Sequence, residues 1–300
     1  MKYGQSGEAV LKVQQALIDR GYPLKRYGAD GHCGDETWSA LEQYSKAELN
    51  DWDPSVPDYV IESLQDPITP IDPIPDVPDS DSKVPILDLR SEQTDPAPKS
   101  KIVHGHTVMR APHTVTGICI HQTACTYGVS QAQINAAGGD RDLALHRRAL
   151  NVACHAMAFM DGTLVLTNEM QSYINASNGL NASCLALEIE GRYPGLVNDP
   201  IGTTWGGDPT PLTGTTVAAA QEGVRKLVQL GRAAGMPIQF IYTHRQSSET
   251  RRSDCGEALW RNVVLDFAVP VLGLKTAPTM TVGSGRPIPE EWDPSGVGHY

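Results

Sequence analysis

Two histidines and one aspartate stand at positions from which they could share a metal ion. His121 ends the apolar run 117–120, and His244 ends a second apolar run, 238–242. Asp254 follows ten residues later, in a polar loop. Two imidazoles and one carboxylate are a ligand set of hydrolytic zinc sites, which keep a fourth position open for water. The sequence therefore predicts a zinc site formed by His121, His244 and Asp254.

Each of these residues also has a simpler interpretation. Either histidine could be a capped, partly buried side chain at the end of a strand. Asp254 could be the N-cap of a helix predicted at 257–268, because aspartate favours that position. Cys255 is a rival third ligand, since cysteine binds zinc well. The ten-residue spacing and the following Gly256 favour Asp254.

A buried strand predicted at 184–189 brings in two further carboxylates. Glu188 and Glu190 are expected on the same face, because alternate residues of a strand point the same way. A carboxylate beside a zinc site can act as general base and then protonate a leaving nitrogen. The alternative for either glutamate is a solvated position on the strand face.

Taken together, these motifs resemble those of the type 2 N-acetylmuramoyl-L-alanine amidases, the zinc amidases related to peptidoglycan-recognition proteins. The resemblance covers about residues 101–270. It rests on four stretches, Ile120-His121-Gln122-Thr123-Ala124, Ala186-Leu187-Glu188-Ile189-Glu190-Gly191, Thr243-His244-Arg245 and Arg252-Ser253-Asp254-Cys255-Gly256. It implies an α/β fold with a mixed central sheet flanked by helices, and Zn²⁺ as the cofactor. The implied reaction is cleavage of the amide bond between N-acetylmuramic acid and L-alanine.

The resemblance also implies roles for single residues. It assigns the metal ligands to the two histidines and the aspartate named above, and the catalytic carboxylate to Glu188. Arg252 stands where the family has a lysine and is predicted to stabilise the oxyanion, while Cys255 replaces a proline. His155 matches a histidine ahead of the family's Asp-Gly-Thr turn, and we expect it to line the substrate cleft or pack the sheet. The remaining histidines have no partner pattern and are expected to be solvated or structural: His104, His106, His113, His146 and His299.

The first 48 residues are predicted to form a small all-α module. Apolar residues recur at helical spacing around Val10 and Leu17, and again around Leu41. The pattern resembles the peptidoglycan-binding domain type 1 family, through Gly4, Gly7, Val10, Gln14, Leu17, Asp30, Gly31, Gly34 and Thr37. We predict that Asp30 and Trp38 contact peptidoglycan there. A generic helical hairpin is the alternative.

Residues 49–100 differ from the rest of the chain in composition. Ten of the 22 prolines lie between residues 51 and 100, with 12 acidic against three basic side chains. Proline removes backbone donors and fixes φ, so we predict a semi-rigid linker. The linker carries most of the net charge of −11, which argues against nucleic acid as a partner. We expect a catalytic domain at 101–273 and a flexible tail, rich in Gly and Pro, at 274–300.

Within 101–273, strands are predicted at 115–120, 184–189 and 238–242, with a hairpin around Asp161-Gly162 joining 153–160 to 163–166. A polar helix, or two short ones, is predicted at 130–150, and longer helices at 216–234 and 257–268.

No signal peptide and no apolar run of 18 residues is recognisable, so we expect no membrane insertion. The six cysteines are then expected to be free thiols. A binding module joined to an amidase without a signal peptide resembles a bacteriophage endolysin. Such a protein is made in the host cytoplasm and reaches the cell wall after the membrane is permeabilised. We expect a monomer. The alternatives are a non-catalytic peptidoglycan receptor on the same fold, or a wall peptidase or glycosidase, although the HExxH motif is absent.

Overall fold

The computed structural model of the chain describes residues 1–19, 22, 24, 26–48, 64, 83–195 and 208–298. Its contacts define two compact units, a small N-terminal one with two helices and a larger one with a six-stranded sheet. Within these residues no helix is both long and apolar enough to cross a membrane. Residues 49–82 of the predicted linker, apart from Leu64, lie outside the described residues, as does His299.

Two amphipathic helices, α1 (Glu8–Asp19) and α2 (Asp35–Glu48), form the N-terminal unit. The predicted helical spacing is confirmed, because the residues that it placed inward form one buried cluster that includes Val13, Leu17 and Leu41. Such a small core suits a helical module of the predicted kind.

A mixed sheet forms the centre of the larger unit. Its strands are β1 (Ile86–Asp88), β4 (Gly117–Gln122), β5 (Ala156–Ala158), β6 (Leu164–Leu166), β7 (Cys184–Ile189) and β8 (Phe240–Thr243), while β2 (Ile102–Val103) and β3 (His106–Thr107) form a separate hairpin. The order across the sheet is β1-β6-β5-β7-β4-β8. Neighbours run parallel except β5 and β6, which form the antiparallel hairpin predicted around Asp161-Gly162. The predicted fold class is confirmed.

Helices flank this sheet. They are α3 (Gln131–Ala136), α4 (Arg141–His146), α5 (Gly214–Ala233) and α6 (Glu257–Leu259), which continues as a π-helix, Trp260–Ala268. Short 3₁₀ helices lie at Arg90–Glu92, Pro112–Thr114, Arg147–Asn151, Asn178–Leu180, His244–Ser247, Glu249–Arg251 and Glu290–Trp292. Leu185, Leu187 and Ile189 share one core cluster with α5 and the π-helix. Because side chains alternate along a strand, Glu188 points to the opposite face.

Each strand and helix predicted for the catalytic segment is present, with ends shifted by a few residues. The strand predicted at 238–242 is β8, and the polar stretch 130–150 forms two short α-helices and a 3₁₀ helix. The helix predicted at 257–268 is present, but most of it is π-helical.

Two segments of the larger unit fall outside the range predicted for the catalytic domain. Strand β1 comes from the predicted linker and pairs in parallel with β6. The predicted flexible tail also packs, since Ile288 and Trp292 are 3% and 0% exposed. In both segments the many prolines and glycines dominated the prediction, whereas a few apolar side chains determine the packing.

Candidate metal centre

The three predicted metal ligands meet where β4 and β8 end. The Nδ1 atoms of His121 and His244 are 3.0 Å apart. Asp254 Oδ2 lies 2.9 Å from His244 Nδ1 and 3.6 Å from His121 Nδ1. Zinc at about 2.0–2.1 Å from tetrahedral ligands separates those ligands by about 3.3 Å, so this triangle has the size of one face of such a site. Among the described residues it is the one group of His, Cys, Asp and Glu side chains close enough to hold a metal.

The second nitrogen of each imidazole has a partner in the protein. His244 Nε2 lies 2.6 Å from Asn178 Oδ1, and His121 Nε2 lies 2.8 Å from Ser177 Oγ. An amide oxygen only accepts, so His244 donates from Nε2 and keeps a lone pair on Nδ1 when its ring is neutral. That lone pair faces the Asp254 carboxylate, an arrangement that a cation stabilises. Metal-binding histidines are commonly oriented by such outer partners, and the donor set fits zinc.

Burial and the contacts between the side chains together set the charges of His121 and Asp254. Burial is the main cause of the lowered pKa of His121, and the nearby His244 ring adds to it, although Asp254 acts in the opposite sense. Burial also raises the pKa of Asp254, but the contacts with the two imidazoles outweigh it and hold that pKa well below its usual range. At neutral pH, His121 is therefore neutral and Asp254 ionised, and these are the states that bind a metal.

Gln122 fixes the turn that carries Asp254 to the end of β4. Its backbone N–H donates to Asp254 Oδ1 at 2.7 Å, and its side-chain Nε2 donates to the carbonyls of Ser253 at 2.5 Å and Tyr193 at 2.7 Å. Gly256 allows the turn to pack closely against the backbone of Tyr193, since a Cβ at this position would lie 2.1 Å from Tyr193 O. The close spacing of Asp254 and His121 thus depends on an amide and a glycine.

The structure separates Asp254 from its alternatives. Cys255 is fully buried in the apolar core that contains Trp260, and it is not part of the metal-sized group. The N-cap of α6 is Gly256, and no side chain caps that helix. Of the two candidates for third ligand, Asp254 is the one that faces the histidines.

Glu188 lies beside His121 across the β4–β7 pairing, where the two residues are in register. It is half-buried, and its buried Oε2 has no hydrogen-bond partner among the described residues. Burial, and secondly the charge of Asp254, raise its pKa well above the usual range for glutamate. An unpaired carboxylate next to a candidate metal centre is suited to accept and return a proton.

Glu190, the other carboxylate considered, has a structural role. Its Oε1 accepts from the backbone N–H of Tyr127 at 2.7 Å, and its Oε2 accepts from that of Met160 at 3.0 Å. The side chain is buried and ties two loops to the end of β7.

Two arginines precede Asp254 in its turn: Arg251 ends the 3₁₀ helix Glu249–Arg251, and Arg252 follows it directly. The pKa of Glu249 is lowered first by its hydrogen bond from Arg286 and, to a smaller extent, by the charge of Arg252. The charge of Arg251 lowers the pKa of both Glu188 and His121, in each case less than burial shifts it. The charge of Arg251, next to the arginine that the resemblance assigns, thus acts on two groups of the metal centre.

His155 is buried away from the metal centre and does not fit the predicted substrate contact. Its Nδ1 accepts from Ala186 N at 3.0 Å, and its Nε2 lies 3.0 Å from both Ser172 O and Arg110 Nη2. Burial, and then the charge of Arg110, lower its pKa to about 3. His155 therefore packs the sheet, the second of its two predicted roles. Among the other histidines, His146 pairs with Asp161, which agrees with a structural role.

The predicted peptidoglycan contacts lie in the N-terminal unit. A groove of about 580 Å³ is lined there by polar side chains, including Asp30, and by Tyr3 and Tyr27, which are 58% and 60% exposed. Asp30 Oδ1 accepts from Gln14 Nε2 at 2.8 Å, so this residue also holds the turn of the module. Trp38 stacks edge-to-face with Tyr3 and is partly buried against the core instead of lining the groove.

Sequence reasoning missed Ser177, Asn178 and the side-chain role of Gln122. Gln122 lies inside a quoted motif, so its proximity to a ligand was visible. Ser177 and Asn178 lie in a stretch with no recognisable pattern, and only the folded chain brings them to the histidines.

No protein-family model matches the sequence. A protein of Bacillus licheniformis named probable N-acetylmuramoyl-L-alanine amidase is 46% identical over 46 residues, which are 15% of this chain and 13% of that protein. The chain thus matches that relative over only a small part of its length.

The solved structures that are similar to this chain include an amidase and a complex of peptidoglycan recognition proteins. One is the N-acetylmuramoyl-L-alanine amidase LysC from Clostridium intestinale URNW, with 16% identity over 63% of this chain and 98% of that chain, and a TM-score of 0.37. The other is the ectodomain complex of the peptidoglycan recognition proteins LCa and LCx with tracheal cytotoxin, with 17% identity over 59% and 93% of the two chains, and a TM-score of 0.36.

Proposed function

We propose that this chain is a zinc-dependent peptidoglycan hydrolase that cleaves the amide bond between N-acetylmuramic acid and L-alanine. The triangle of His121, His244 and Asp254 carries the proposal, because these residues were predicted from separate motifs and lie within metal-binding distance of one another. The motif resemblance and the short match to a protein named as a probable amidase support the choice of bond.

The chain's own residues would hold the ion through two imidazole nitrogens and one carboxylate oxygen. A zinc ion bound there lowers the pKa of water to about 7 and polarises a carbonyl group. Ser177 and Asn178 keep the rings turned so that both Nδ1 atoms face the carboxylate.

Glu188 is proposed to move the proton. It takes a proton from the attacking water and returns it to the nitrogen of L-alanine as the C–N bond breaks. The products are a muramic acid with a free lactyl carboxyl group and a peptide with a free amino terminus. The missing hydrogen-bond partner at Oε2 supports this role, because a carboxylate fixed by two donors, as in Glu190, is a poorer proton acceptor.

An arginine of the turn after Glu249 is proposed to stabilise the oxyanion. The resemblance assigns Arg252, while the electrostatic reach of Arg251 favours its neighbour. Comparing Arg251→Met with Arg252→Met separates the two, because losing one well-placed donor costs about 100-fold or more in turnover. The variant with the larger loss identifies the residue.

The N-terminal unit is proposed to bind peptidoglycan through its groove, where Asp30 is the predicted residue that lines it. Trp38, the other predicted residue, supports the groove from behind by packing against Tyr3. Exposed aromatic rings beside polar groups are typical of surfaces that bind ligands with both apolar and polar faces. Tyr27→Ala in the full chain should weaken sedimentation with purified cell walls while leaving hydrolysis of soluble muropeptides unchanged.

The test of the proposal combines metal analysis with mass spectrometry of digested walls. We expect one zinc per chain, loss of activity with a chelator, recovery with zinc, and peptides that begin at L-alanine. Wall binding without release of products would instead identify a non-catalytic binding protein. Cleavage inside the stem peptide, or new reducing ends, would identify a peptidase or a glycosidase.

A further inference from the structure

The segment Ala277–Trp292, near the end of the described residues, packs against the turn that follows His244. We call it the C-terminal strap. Trp292 and Ile288 belong to the main core cluster, and Ala277, Met280 and Val282 pack on a second cluster beside the metal centre. The strap carries no metal ligand. We propose that it is a positioning element of the metal centre, which orients the His244 imidazole from both sides; this inference rests on the proposed function.

The strap holds the backbone that directly follows His244. Val282 N donates to Gln246 O at 2.8 Å, and Arg286 N donates to Arg245 O at 2.9 Å. In return, the buried Gln246 side chain donates from Nε2 to Ala277 O at 2.7 Å and to Met280 O at 3.1 Å. The same amide accepts through Oε1 from Thr243 N, the residue before His244. Gln246 thus connects the strap to the residue before His244, and its own backbone lies two residues after His244.

Arg245 extends this connection to the third ligand. Its Nε donates to Pro287 O in the strap at 2.6 Å, and its Nη1 donates to Arg252 O at 2.5 Å. Its backbone N–H donates to Asp254 O at 2.7 Å. The guanidinium also lies over the Trp292 ring, 5.6 Å from its centroid. One side chain therefore ties the strap to the turn that carries Asp254.

The strap also reaches the far side of the His244 ring. Val282 packs against Gly179 so closely that a Cβ on that glycine would lie 2.4 Å from Val282 Cγ1. The neighbouring residue, Asn178, accepts from His244 Nε2. Val282 therefore limits the position of the amide that fixes the orientation of the ring.

Gly285 permits the close packing between the strap and the turn. A Cβ at this position would lie 1.9 Å from Gln246 O and 2.7 Å from Ser247 N. These are backbone atoms, which cannot rotate away as a side chain could. Gly285→Ala must therefore push the strap from the turn. Gly128→Ala is the matched control, because a Cβ there meets nothing within 4 Å and its backbone is not left-handed.

The test measures metal affinity in the full chain. Zinc dissociation constants are determined by chelator competition for the wild type, Gly285→Ala, Val282→Ala and Gly128→Ala. The visible spectrum of each Co²⁺-loaded protein reports the ligand geometry, and thermal unfolding of each metal-free protein reports the fold. Losing an outer partner of a ligand typically weakens metal binding by about 10–100-fold. We expect a loss of that order for Gly285→Ala, several-fold for Val282→Ala, and less than about twofold for the control, with altered cobalt spectra in the first two.

A strap that only stabilises the fold would lower the unfolding temperature of the metal-free variants and leave zinc affinity and the cobalt spectrum unchanged, which would overturn the proposal. Should Gly285→Ala fail to fold, Val282→Ala decides, because it removes two methyl groups without a clash. A wild type that binds no zinc would overturn the proposed function together with this inference. If the wild type binds zinc and both strap variants bind it with the same affinity, only the role of the strap is overturned.

Discussion

Two buried histidine sites lie in the larger unit, and their hydrogen bonds differ. At His155, the backbone N–H of Ala186, the carbonyl of Ser172 and the guanidinium of Arg110 surround both ring nitrogens. At His121 and His244, protein partners hold the Nε2 atoms, whereas the Nδ1 atoms face each other and a carboxylate. All three rings are at most 5% exposed.

The difference shows that burial of a histidine does not by itself indicate a functional site. Burial lowers the pKa of both His155 and His121, so neither burial nor the direction of that shift separates them. The direction of the lone pairs does separate them. Around His155 both ring nitrogens have hydrogen-bond partners in the protein, which stabilises the fold. At His121 and His244, two ring nitrogens converge on one carboxylate, and a cation would complete the arrangement.

Removing one histidine from each site gives the largest expected effects and tests this contrast directly. His121→Ala should abolish hydrolysis and weaken zinc binding by more than about 100-fold, since losing a ligand exceeds the loss of an outer partner. The metal-free protein should also lose some stability, because a buried ring is removed and a cavity remains, but the loss of zinc binding is the effect that distinguishes this site. Zinc titration and urea unfolding of the same sample measure both quantities.

The matched variant, His155→Ala, should show the reverse pattern. It leaves buried polar groups without a partner and opens a cavity, which together cost roughly 3–5 kcal/mol of unfolding free energy. Zinc affinity of the folded fraction should stay near wild type. If His155→Ala lost zinc while His121→Ala kept it, the assignment of the two sites would be reversed.

The same contrast holds for the two glutamates at the end of β7. Glu188→Gln should lower turnover by about 100- to 10,000-fold, the usual contribution of a general acid–base group, with zinc still bound. Glu190→Gln should retain most of its activity but lose stability, because one of its two backbone partners then faces an amide N–H₂ group. Muropeptide hydrolysis, zinc content and thermal unfolding distinguish the two. Near-normal turnover in Glu188→Gln would remove Glu188 from the mechanism.

Local sequence patterns predicted the strands and pointed to the three residues that the fold brings together, because each of these features depends on few residues. The apolar run before His121 forms β4, and the alternation that placed Glu188 on one face is a property of any strand. The sequence also pointed to Asp254, through its spacing from His244. Such features can be predicted from the sequence because they do not depend on contacts with residues far along the chain.

The parts that sequence did not predict depend on distant contacts. The strand Ile86–Asp88 becomes part of the sheet through β6, almost 80 residues away in sequence. The segment predicted as a flexible tail is ordered by Trp292 and by hydrogen bonds to the turn after His244. Proline and glycine content describes local backbone preference, and it contains no information about such partners.

Ser177 offers a smaller and more selective change at the metal centre. Ser177→Ala removes the hydroxyl group that contacts His121 Nε2 and keeps the backbone in place. We expect zinc affinity to fall by about 10–100-fold, with the residual activity restored at high zinc concentration. Ser91→Ala, at an exposed position, is the control and should match the wild type. Unchanged affinity in Ser177→Ala would mean that the strand alone orients His121.

The most gradual expected effect, about 1.4 kcal/mol per pH unit, is the pH dependence of stability that comes from His155. Its folded-state pKa is lowered to about 3, against about 6.5 in an unfolded chain. A histidine with a lowered pKa contributes stability that is present above about pH 6.5 and is lost as the pH falls towards 3. In that window the unfolded state binds one more proton, so the free energy of unfolding drops by about 1.4 kcal/mol per pH unit.

Urea unfolding between pH 6.5 and 4 measures this slope, and His155→Gln provides the reference because glutamine does not titrate. Other groups, including His121, titrate in both proteins and cancel in the comparison. The wild type should therefore lose about 1.4 kcal/mol per pH unit more than His155→Gln. Equal slopes would mean that His155 accepts a proton in the folded state. Its contacts with Arg110 and Ala186 would then be too weak to keep it neutral, and the contrast with the metal centre would rest on the ligands alone.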